Sequence, residues 1–423
     1  MVKKVNPSTI THLKVDENSR FKYLFLAFGS CIRRFSCMRK VISIDGTFLK
    51  TNYKGCLLVA TAQDGNRHCY PIAWAVVDSE NDASWAWFLT KLQDFVPNTD
   101  DLVFISDRQQ SIKKAECSVY SNAHHGYCMW HIEQNLKSFY TCQDAIDLFK
   151  KAAQAYQISQ FTQLWMEIQN RYPRVANYLT TNITFGQWSR AHFSGNRYNI
   201  MTTGCAESIN NALREARAYP VIALLDAVQE LTSSWFHDRR KAASSCTTSL
   251  TPTIETMLRE RFILAQHMTA TPLNQFEYNV RGNKLDSVVD LSQKSCGCRA
   301  FDIDRIPCAH ALSAIGDDDF DQVSRFCPIL YTVDAWALAY AETIYPVPLA
   351  SEWDIPEDTE FIKVVPPIVK KKRGPVKKQR IPSVGENRRK IVRRNKCAIC
   401  REMGHYQKNC PQRQPPSDLN TAG

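Results

Sequence analysis

Asp45 is a carboxylate in a stretch that suits a partly buried strand. It lies in VISIDGTFLK (41–50), whose alternating polar and apolar residues are typical of such a strand. Burying an ionised carboxylate is costly unless a positive charge, such as a metal ion, meets it. The alternative is that the strand ends early and Asp45-Gly46 forms a turn, as Asp-Gly dipeptides commonly do, and on this segment alone the turn is favoured. Asp45 shares a strand face with Ser43 and Thr47, so the pattern can also hold it within the strand, which weakens the turn alternative.

Two further carboxylates could join Asp45. Asp107 ends the strand-like run DLVFISD, and ligand sites in α/β sheets commonly form at strand ends. Glu207 lies in RYNIMTTGCAESINNALREARAYP, which has the signature of a helix that starts at Thr202 or Thr203 and is ended by Pro220. Helix geometry alone favours an ordinary solvated face for Glu207. The predicted apolar stripe is Ile209, Ala212, Leu213 and Ala216, and the opposite face holds Glu207, Asn210, Asn211 and Arg214.

The strands and helices that position these side chains are predicted by alternating sequence patterns. The order β-β-β-α-β-α-β-α is typical of a mixed sheet covered by helices. The predicted strands are 41–50, 56–62, 70–77, 101–107 and 127–130, and the predicted helices are 82–95, 111–120 and a long helical stretch at about 136–190.

Two groups of Cys and His have the spacing of zinc sites. KSCGCRAFDIDRIPCAHAL has a CxC-x9-CxH arrangement and CAICREMGHYQKNC has a C-x2-C-x4-H-x4-C arrangement, and both suit tetrahedral Zn²⁺. The 16 cysteines occur without a signal-peptide pattern, which predicts reduced thiols and zinc in an intracellular compartment. The candidate ligands are Cys296, Cys298, Cys308 and His310 in the first group, and Cys397, Cys400, His405 and Cys410 in the second.

A further pair, Cys128 and His131 in YCMWH, could supply half of a zinc site. Two ligands do not make a site, and a buried cysteine beside a hydrogen-bonded histidine is the favoured alternative. The role of this pair is left open by the sequence.

The positive charge of the chain lies in its C-terminal part. Residues 363–423 carry 17 Lys and Arg against 3 Asp and Glu, whereas residues 1–362 have a net charge of −3. Such basic blocks predict salt-dependent contact with nucleic-acid phosphates or nuclear import, with solvated charge as the alternative. The spacing of the second Cys and His group is that of a zinc knuckle. Such a knuckle can bind single-stranded nucleic acid, and a protein-binding knuckle is the alternative. The candidate nucleic-acid contacts are Lys370, Lys371, Lys372, Arg373, Lys377, Lys378, Arg380 and the knuckle residue Tyr406.

Several of these segments, taken in order, resemble the catalytic core of Mutator-like transposases from about residue 21 to about 345. They are VISIDGTFLK, FISDRQQSIKKA, YCMWHIEQNL and TTGCAESINNALREAR, followed by the CxC/CxH group. The resemblance implies an RNase H-like fold with a helical insertion and a DDE triad of Asp45, Asp107 and Glu207. It also implies two Mg²⁺ or Mn²⁺ ions bridged by Asp45, which activate a water or 3′-hydroxyl and stabilise the leaving oxygen. The two Cys and His groups would be a SWIM-type zinc finger and a CCHC zinc knuckle, with two structural zinc ions.

The sequence therefore predicts an α/β protein with an RNase H-like mixed sheet and a helical insertion, followed by small zinc-bound modules and a basic flexible tail. No apolar run approaches the roughly 18 residues that a membrane span needs, so we expect no membrane partner. The predicted segments are an N-terminal remnant (1–40), the core (41–225) with its insertion (132–200), a helical connector (226–285), the SWIM finger (286–318), a helical end (319–345), a Pro-rich then basic linker (346–395), the knuckle (396–411) and a disordered end (412–423).

Two functions are compatible with these features. The first is a nuclear transposase that cuts and joins DNA at element ends or genomic targets, with a homo-oligomer as one option for its assembly. The second is a domesticated, catalytically silent DNA-binding or transcription regulator of the far-red-response type. The intact triad favours the first. Only 40 residues precede the first catalytic strand, so we expect the region that recognises element ends to be missing, which counts against the first and fits a fragment or a decayed copy. A third function, that of an unrelated RNase H-like nuclease, is disfavoured because such an enzyme has no obvious use for the zinc modules.

Overall fold

A large mixed sheet occupies the first third of the chain. The computed structural model describes residues 1–181, 183–282, 286–316, 320–353, 364–368, 397, 399–400 and 410–412. The strands of the sheet are β1 (Ile10–Val15), β2 (Phe21–Ala27), β3 (Val41–Phe48), β4 (Cys56–Gln63), β5 (Cys69–Val77), β6 (Val103–Ser106) and β7 (His124–Tyr127). Their order across the sheet is β1-β2-β5-β4-β3-β6-β7.

Strand β3 joins the antiparallel and the parallel parts of this sheet. It pairs antiparallel with β4 and parallel with β6, and β7 extends the parallel part. Strands β4 and β5 are buried over nearly their whole length, which explains their almost continuously apolar sequences. Ser43 lies opposite Ile105, so Asp45 and Asp107 each lie two residues further along neighbouring parallel strands, at the same edge of the sheet.

Strands β1 and β2 were not anticipated from the sequence. They pair with each other, and β2 pairs with β5, so residues before position 41 are part of the sheet. The described segment 364–368 meets the start of β2, where the backbone N–H of Phe21 donates to the carbonyl of Val365 at 2.9 Å.

Helices form most of the remaining described chain. They are α1 (Val2–Val5), α2 (Gly29–Arg33), α3 (Asp82–Gln93), α4 (Gln110–Val119), α5 (Met129–Phe139), α6 (Gln143–Gln154), α7 (Ile158–Arg171), α8 (Pro173–Thr181), α9 (Phe185–Trp188), α10 (Gly204–Ala212), α11 (Val221–Ser244), α12 (Pro252–Ala265), α13 (Ala300–Asp304), α14 (Ala309–Ile315), α15 (Phe320–Ser324) and α16 (Val333–Ala339). Within the described ranges, none of them is both long enough and apolar enough to cross a membrane.

The helices α5 to α9 lie between β7 and α10 and pack around a core of their own. Large aromatic side chains dominate this core, including Phe149, Phe161, Trp165 and Trp188. The helical stretch predicted at about 136–190 is therefore present. The main core is separate and combines the sheet with α3, α10, α11 and α16.

The prediction of a strand at 127–130 is wrong by about three residues. Strand β7 ends at Tyr127 because its partner β6 is only four residues long and the two pair in register to Ser106. The N–H of Cys128 then donates to the carbonyl of Ser106 at 2.8 Å, and α5 begins at Met129. The polar residues of β7 make the strand hard to predict, since the His125 side chain is only 8% exposed and its Nε2 lies 2.8 Å from Ser106 Oγ.

The helix predicted up to Pro220 ends early, at Ala212, and Ala212 itself is exposed. The chain then follows the end of β3, where the N–H of Lys50 donates to the carbonyl of Arg217 at 2.8 Å and the Arg217 guanidinium contacts Thr47 Oγ1. These contacts with the sheet outweigh the helical preference of the local sequence.

A second, antiparallel sheet lies further along the chain. Its strands are β8 (Thr269–Pro272), β9 (Glu277–Arg281), β10 (Ser287–Asp290) and β11 (Ser295–Cys296), in the order β11-β10-β9-β8. Helices α13 and α14 pack against it around Val280, Val289 and Phe301. This small sheet carries the first predicted zinc cluster.

Candidate active site and zinc clusters

Asp45 lies inside β3 and not in a turn. It pairs in register with Val59 of β4, and the pairing continues to Phe48. The turn alternative for Asp45-Gly46 is therefore wrong. The side-chain amide of Asn210 on α10 donates to Asp45 Oδ2 at 2.8 Å, which fixes one oxygen of the carboxylate.

Helix α10 brings Glu207 to the same edge of the sheet. Glu207 lies three residues before Asn210, so the two side chains share a helix face. Asn210 is only 7% exposed and contacts Asp45, so the part of this face that holds Asn210 packs on the sheet, whereas Asn211 and Arg214 of the predicted polar face are exposed as helix geometry favoured. Thr203 precedes the helix, and its hydroxyl lies 3.0 Å from Glu207 Oε1.

Asp107 is oriented by the turn that follows β6. The backbone N–H of Gln109 donates to Asp107 Oδ1 at 2.9 Å, just before α4 begins. One oxygen of each of the three predicted carboxylates therefore has a hydrogen-bond partner from the protein.

The three carboxylates influence one another electrostatically. Burial raises the pKa of Asp45 to about 7, and repulsion from Asp107 and, more weakly, Glu207 acts in the same direction. His131 and the hydrogen bond from Asn210 act in the opposite direction. Asp45 therefore lies in an excess of negative charge that a bound cation would relieve.

Glu80 is a fourth carboxylate at this site, and it was not predicted from the sequence. It follows β5, which runs in the same direction as β3, so both strands deliver carboxylates to one edge. Burial raises the pKa of Glu80 to about 8, with further contributions from Asp107 and Asp45. Gly46 makes room for it, because a Cβ on Gly46 would lie 2.5 Å from Glu80 Oε1. The sequence feature that could have identified Glu80 is an acidic residue soon after a predicted strand.

The donor set fits a hard divalent cation. Carboxylate oxygens are what Mg²⁺ and Mn²⁺ prefer, with water completing the coordination. Among the described residues, two buried amide oxygens beside the carboxylates lack a hydrogen-bond donor, Gln109 Oε1 and Asn210 Oδ1. Water bound to a cation would supply such donors.

Cys128 and His131 lie next to Glu207, which the sequence did not show. Ligand atoms of the three residues all lie within 4.8 Å of one another. Burial lowers the pKa of His131, but Cys128 and the carboxylates of Asp45 and Asp107 outweigh it and raise the pKa to about 9.

The first zinc cluster is assembled as predicted. Ligand atoms of Cys296, Cys298, Cys308 and His310 all lie within 4.8 Å of one another, at the junction of β11 and α14. A Cys₃His set of this kind is typical of structural tetrahedral zinc. Hydrogen bonds from Cys296 and Cys308 lower the pKa of Cys298, which favours the thiolate form that binds metal.

The second cluster is described only in part. Ligand atoms of Cys397, Cys400 and Cys410 also lie within 4.8 Å of one another, which is consistent with a zinc knuckle. Backbone hydrogen bonding at Cys400 lowers the pKa of Cys397 to about 6. The remaining predicted residues lie outside the described ranges, namely His405, Tyr406, Lys370, Lys371, Lys372, Arg373, Lys377, Lys378 and Arg380.

We expect zinc removal to unfold the small sheet without unfolding the large one. The small core is built around its ligands, because Cys296 and Cys308 are themselves core residues, so zinc binding should supply much of its folding free energy. Cys308→Ser should lose one zinc per chain by elemental analysis and expose β8 to β11 to hydrogen exchange. Cys117→Ser, at an exposed cysteine, is the control. Unchanged protection of β9 and β10 after zinc loss would contradict this expectation.

Family comparisons agree with this arrangement of a carboxylate-bearing sheet and a zinc cluster. Residues 41–135 match the family model of the MULE transposase domain, and residues 282–317 match that of the SWIM zinc finger. The first range contains Asp45, Asp107, Cys128 and His131, whereas Glu207 lies beyond it. The chain thus carries a MULE transposase domain and a SWIM zinc finger.

Two plant proteins are similar to parts of the chain. Protein FAR-RED IMPAIRED RESPONSE 1 of Arabidopsis thaliana is 22% identical over 142 residues, which cover 33% of this chain and 17% of that protein. Protein FAR1-RELATED SEQUENCE 4 of the same organism is 19% identical over 175 residues, which cover 40% of this chain and 24% of that protein. The chain therefore spans about a quarter or less of these curated relatives.

Proposed function

We propose that this chain is a Mutator-like DNA transposase that cleaves and joins DNA strands with Asp45, Asp107 and Glu207. The observation that carries the proposal is the convergence of these three carboxylates at one edge of the sheet, through the β3–β6 register and the Asn210–Asp45 hydrogen bond. The match to the MULE transposase domain supports it. The mixed sheet with helices between β7 and α10 supports an RNase H-like interpretation of the core.

In this proposal the chain holds its carboxylates ready for divalent ions. Asp45, Asp107 and Glu207 would bind two Mg²⁺ or Mn²⁺ ions, which supply activation of the nucleophile and stabilisation of the leaving oxygen. The protein's own contribution is orientation. Asn210 fixes Asp45, the backbone N–H of Gln109 fixes Asp107, and Thr203 lies against Glu207. Such pre-positioning is a large part of catalysis by enzymes of this kind.

Binding of DNA in the nucleus is part of the proposal. Lys50 and Arg214 lie near the end of β3, and the basic segment 370–380 would add phosphate contacts that weaken with rising salt. The zinc knuckle would hold single-stranded nucleic acid.

The test is nicking of supercoiled plasmid in Mn²⁺ by the wild type and Glu207→Gln. We expect Glu207→Gln to reduce nicking by about a hundredfold or more, because the amide is a poor ligand for the ion that the carboxylate would hold. DNA binding should be unchanged. Glu215→Gln is the matched control, since Glu215 follows α10 and is exposed. Equal nicking by the wild type and Glu207→Gln would refute the assignment of the triad.

The similarity to the two far-red response proteins favours a second candidate function. In it, the chain is a domesticated relative that binds DNA and regulates transcription without cutting DNA. Wild type that binds DNA but does not nick it in Mn²⁺ or Mg²⁺ would favour this second function.

A further inference from the structure

We propose that Cys128, His131 and Glu207 form a binding site for a thiophilic transition-metal ion, most simply Zn²⁺, beside the carboxylate site. Ligand atoms from all three residues lie within 4.8 Å of one another. This separation allows one ion to contact all three after small side-chain adjustments, since tetrahedral zinc has bonds of about 2.0–2.3 Å.

The three ligands come from two separate parts of the chain that the fold brings together. Cys128 and His131 flank the start of α5, and the N–H of Met129 donates to the carbonyl of Met201 at 2.8 Å. Glu207 lies one turn into α10, which follows this contact. Only Cys128 and His131 are neighbours in the sequence. The close approach of the starts of α5 and α10 adds Glu207 as the third ligand.

The surroundings of the ligands suit a metal. Cys128 is fully buried and His131 is 6% exposed, and within the described ranges His131 Nδ1 has no hydrogen-bond partner although it is buried. Cys128 Sγ accepts from the backbone N–H of Thr203 at 3.3 Å. The Thr203 hydroxyl lies 3.3 Å from the same sulfur and 3.0 Å from Glu207 Oε1, so it can donate to one of the two ligands. Such outer hydrogen bonds orient metal ligands.

The chemistry of the set separates this site from the carboxylate site. Thiolate and imidazole favour Zn²⁺ over Mg²⁺, whereas Asp45 and Asp107 offer only oxygen. Three protein ligands leave a fourth position open, as in zinc sites that bind water or substrate. Glu207 has two carboxylate oxygens and can contribute to both sites. The inference shares Glu207 with the proposed active site, but it does not require DNA cleavage.

The test measures zinc in the 423-residue chain after saturation with Zn²⁺ and dialysis in excess Mg²⁺. Cys128→Ser should contain one zinc fewer per chain than the wild type, because serine is a poor zinc ligand. Cys117→Ser, at an exposed cysteine outside the three ligands, should match the wild type. Equal zinc content in the wild type and Cys128→Ser would overturn the proposal.

Two further measurements keep the test decisive if Cys128→Ser folds poorly. The ¹¹³Cd NMR spectrum of the Cd²⁺-loaded wild type should contain a signal from a one-thiolate site, distinct from the three-thiolate sites, and its absence would overturn the proposal. Thr203→Val should weaken zinc binding at this site by about 10–100-fold without removing a ligand. Because these readouts do not depend on cleavage, a chain that binds this zinc but does not nick DNA would refute only the proposed catalysis.

Discussion

Asp45→Asn should reduce DNA nicking by about a thousandfold and yet stabilise the metal-free protein. The loss of activity follows from the proposed role of Asp45 as a ligand of the divalent ions, because the site would then lack one of its three carboxylates. The gain in stability has a separate cause, because burial and repulsion from Asp107 and Glu207 together outweigh the opposing effect of His131 on the Asp45 carboxylate. Enzymes often retain such unfavourable charges for function at some cost in stability.

The pH dependence of this gain has a definite sign. In the unfolded chain Asp45 ionises near pH 4, whereas in the folded, metal-free chain its pKa is about 7. The folded state therefore binds the proton more tightly, and the wild type loses stability as the pH rises from about 4 to about 7. Asparagine cannot ionise, so the advantage of Asp45→Asn should be absent at pH 4 and complete above pH 7.

Thermal unfolding with chelator provides the measurement. A gain of about 1 kcal/mol would raise the midpoint by roughly 2–4 °C for a domain of 150–250 residues. Mn²⁺ should then stabilise the wild type but not Asp45→Asn, since only the wild type retains the full site. Asp100→Asn, at an exposed aspartate, is the control. A lower midpoint for Asp45→Asn at neutral pH without metal would contradict the electrostatic account.

Asp304→Asn should be among the most destabilising conservative substitutions in the described chain. Asp304 is 2% exposed and accepts a hydrogen bond from Tyr156 Oη at 2.9 Å, while the Arg261 guanidinium contacts the same carboxylate. Asp304 lies in the zinc-bearing segment. Its buried carboxylate thus connects this segment with Tyr156, between α6 and α7, and with Arg261 on helix α12. Removing one partner of a buried ion pair leaves the other uncompensated, which costs about 3–5 kcal/mol.

Urea unfolding of a graded series tests this prediction. Tyr156→Phe removes one hydrogen bond but keeps the ion pair, so it should cost only about 1 kcal/mol. Glu260→Gln, at an exposed position on α12, should have little effect. If Asp304→Asn were no more costly than Tyr156→Phe, the ion pair would not have the importance that its burial indicates.

Local sequence patterns predicted the parts of the fold that depend on local periodicity. Strand β3, helix α3 and the zinc spacing of Cys296 to His310 are visible in short windows, and the structure has them. The early end of α10 is not visible there, because it depends on hydrogen bonding between Lys50 and Arg217, residues that are distant in sequence.

The site was only partly predictable for the same reason. The types and positions of Asp45 and Asp107 made them candidate ligands, but helix geometry alone made Glu207 look like an ordinary polar helix residue. Glu207 was predicted only through the resemblance to Mutator-like transposases. What distinguishes it is the packing of Asn210 against Asp45 across 165 residues of sequence. The approach of Glu80 to Gly46 and of Glu207 to Cys128 likewise depends on the fold.

If three distant carboxylates share divalent ions at one site, iron-dependent cleavage of the protein itself should occur next to all three. Fe²⁺ that replaces Mg²⁺ produces hydroxyl radicals with peroxide, and these cut the backbone near the bound ion. With Zn²⁺ present to fill the thiolate sites, we predict cuts near residues 45, 107 and 207 that excess Mg²⁺ suppresses. Cuts at none of these positions, or cuts that excess Mg²⁺ leaves unchanged, would show that the three carboxylates do not share divalent ions.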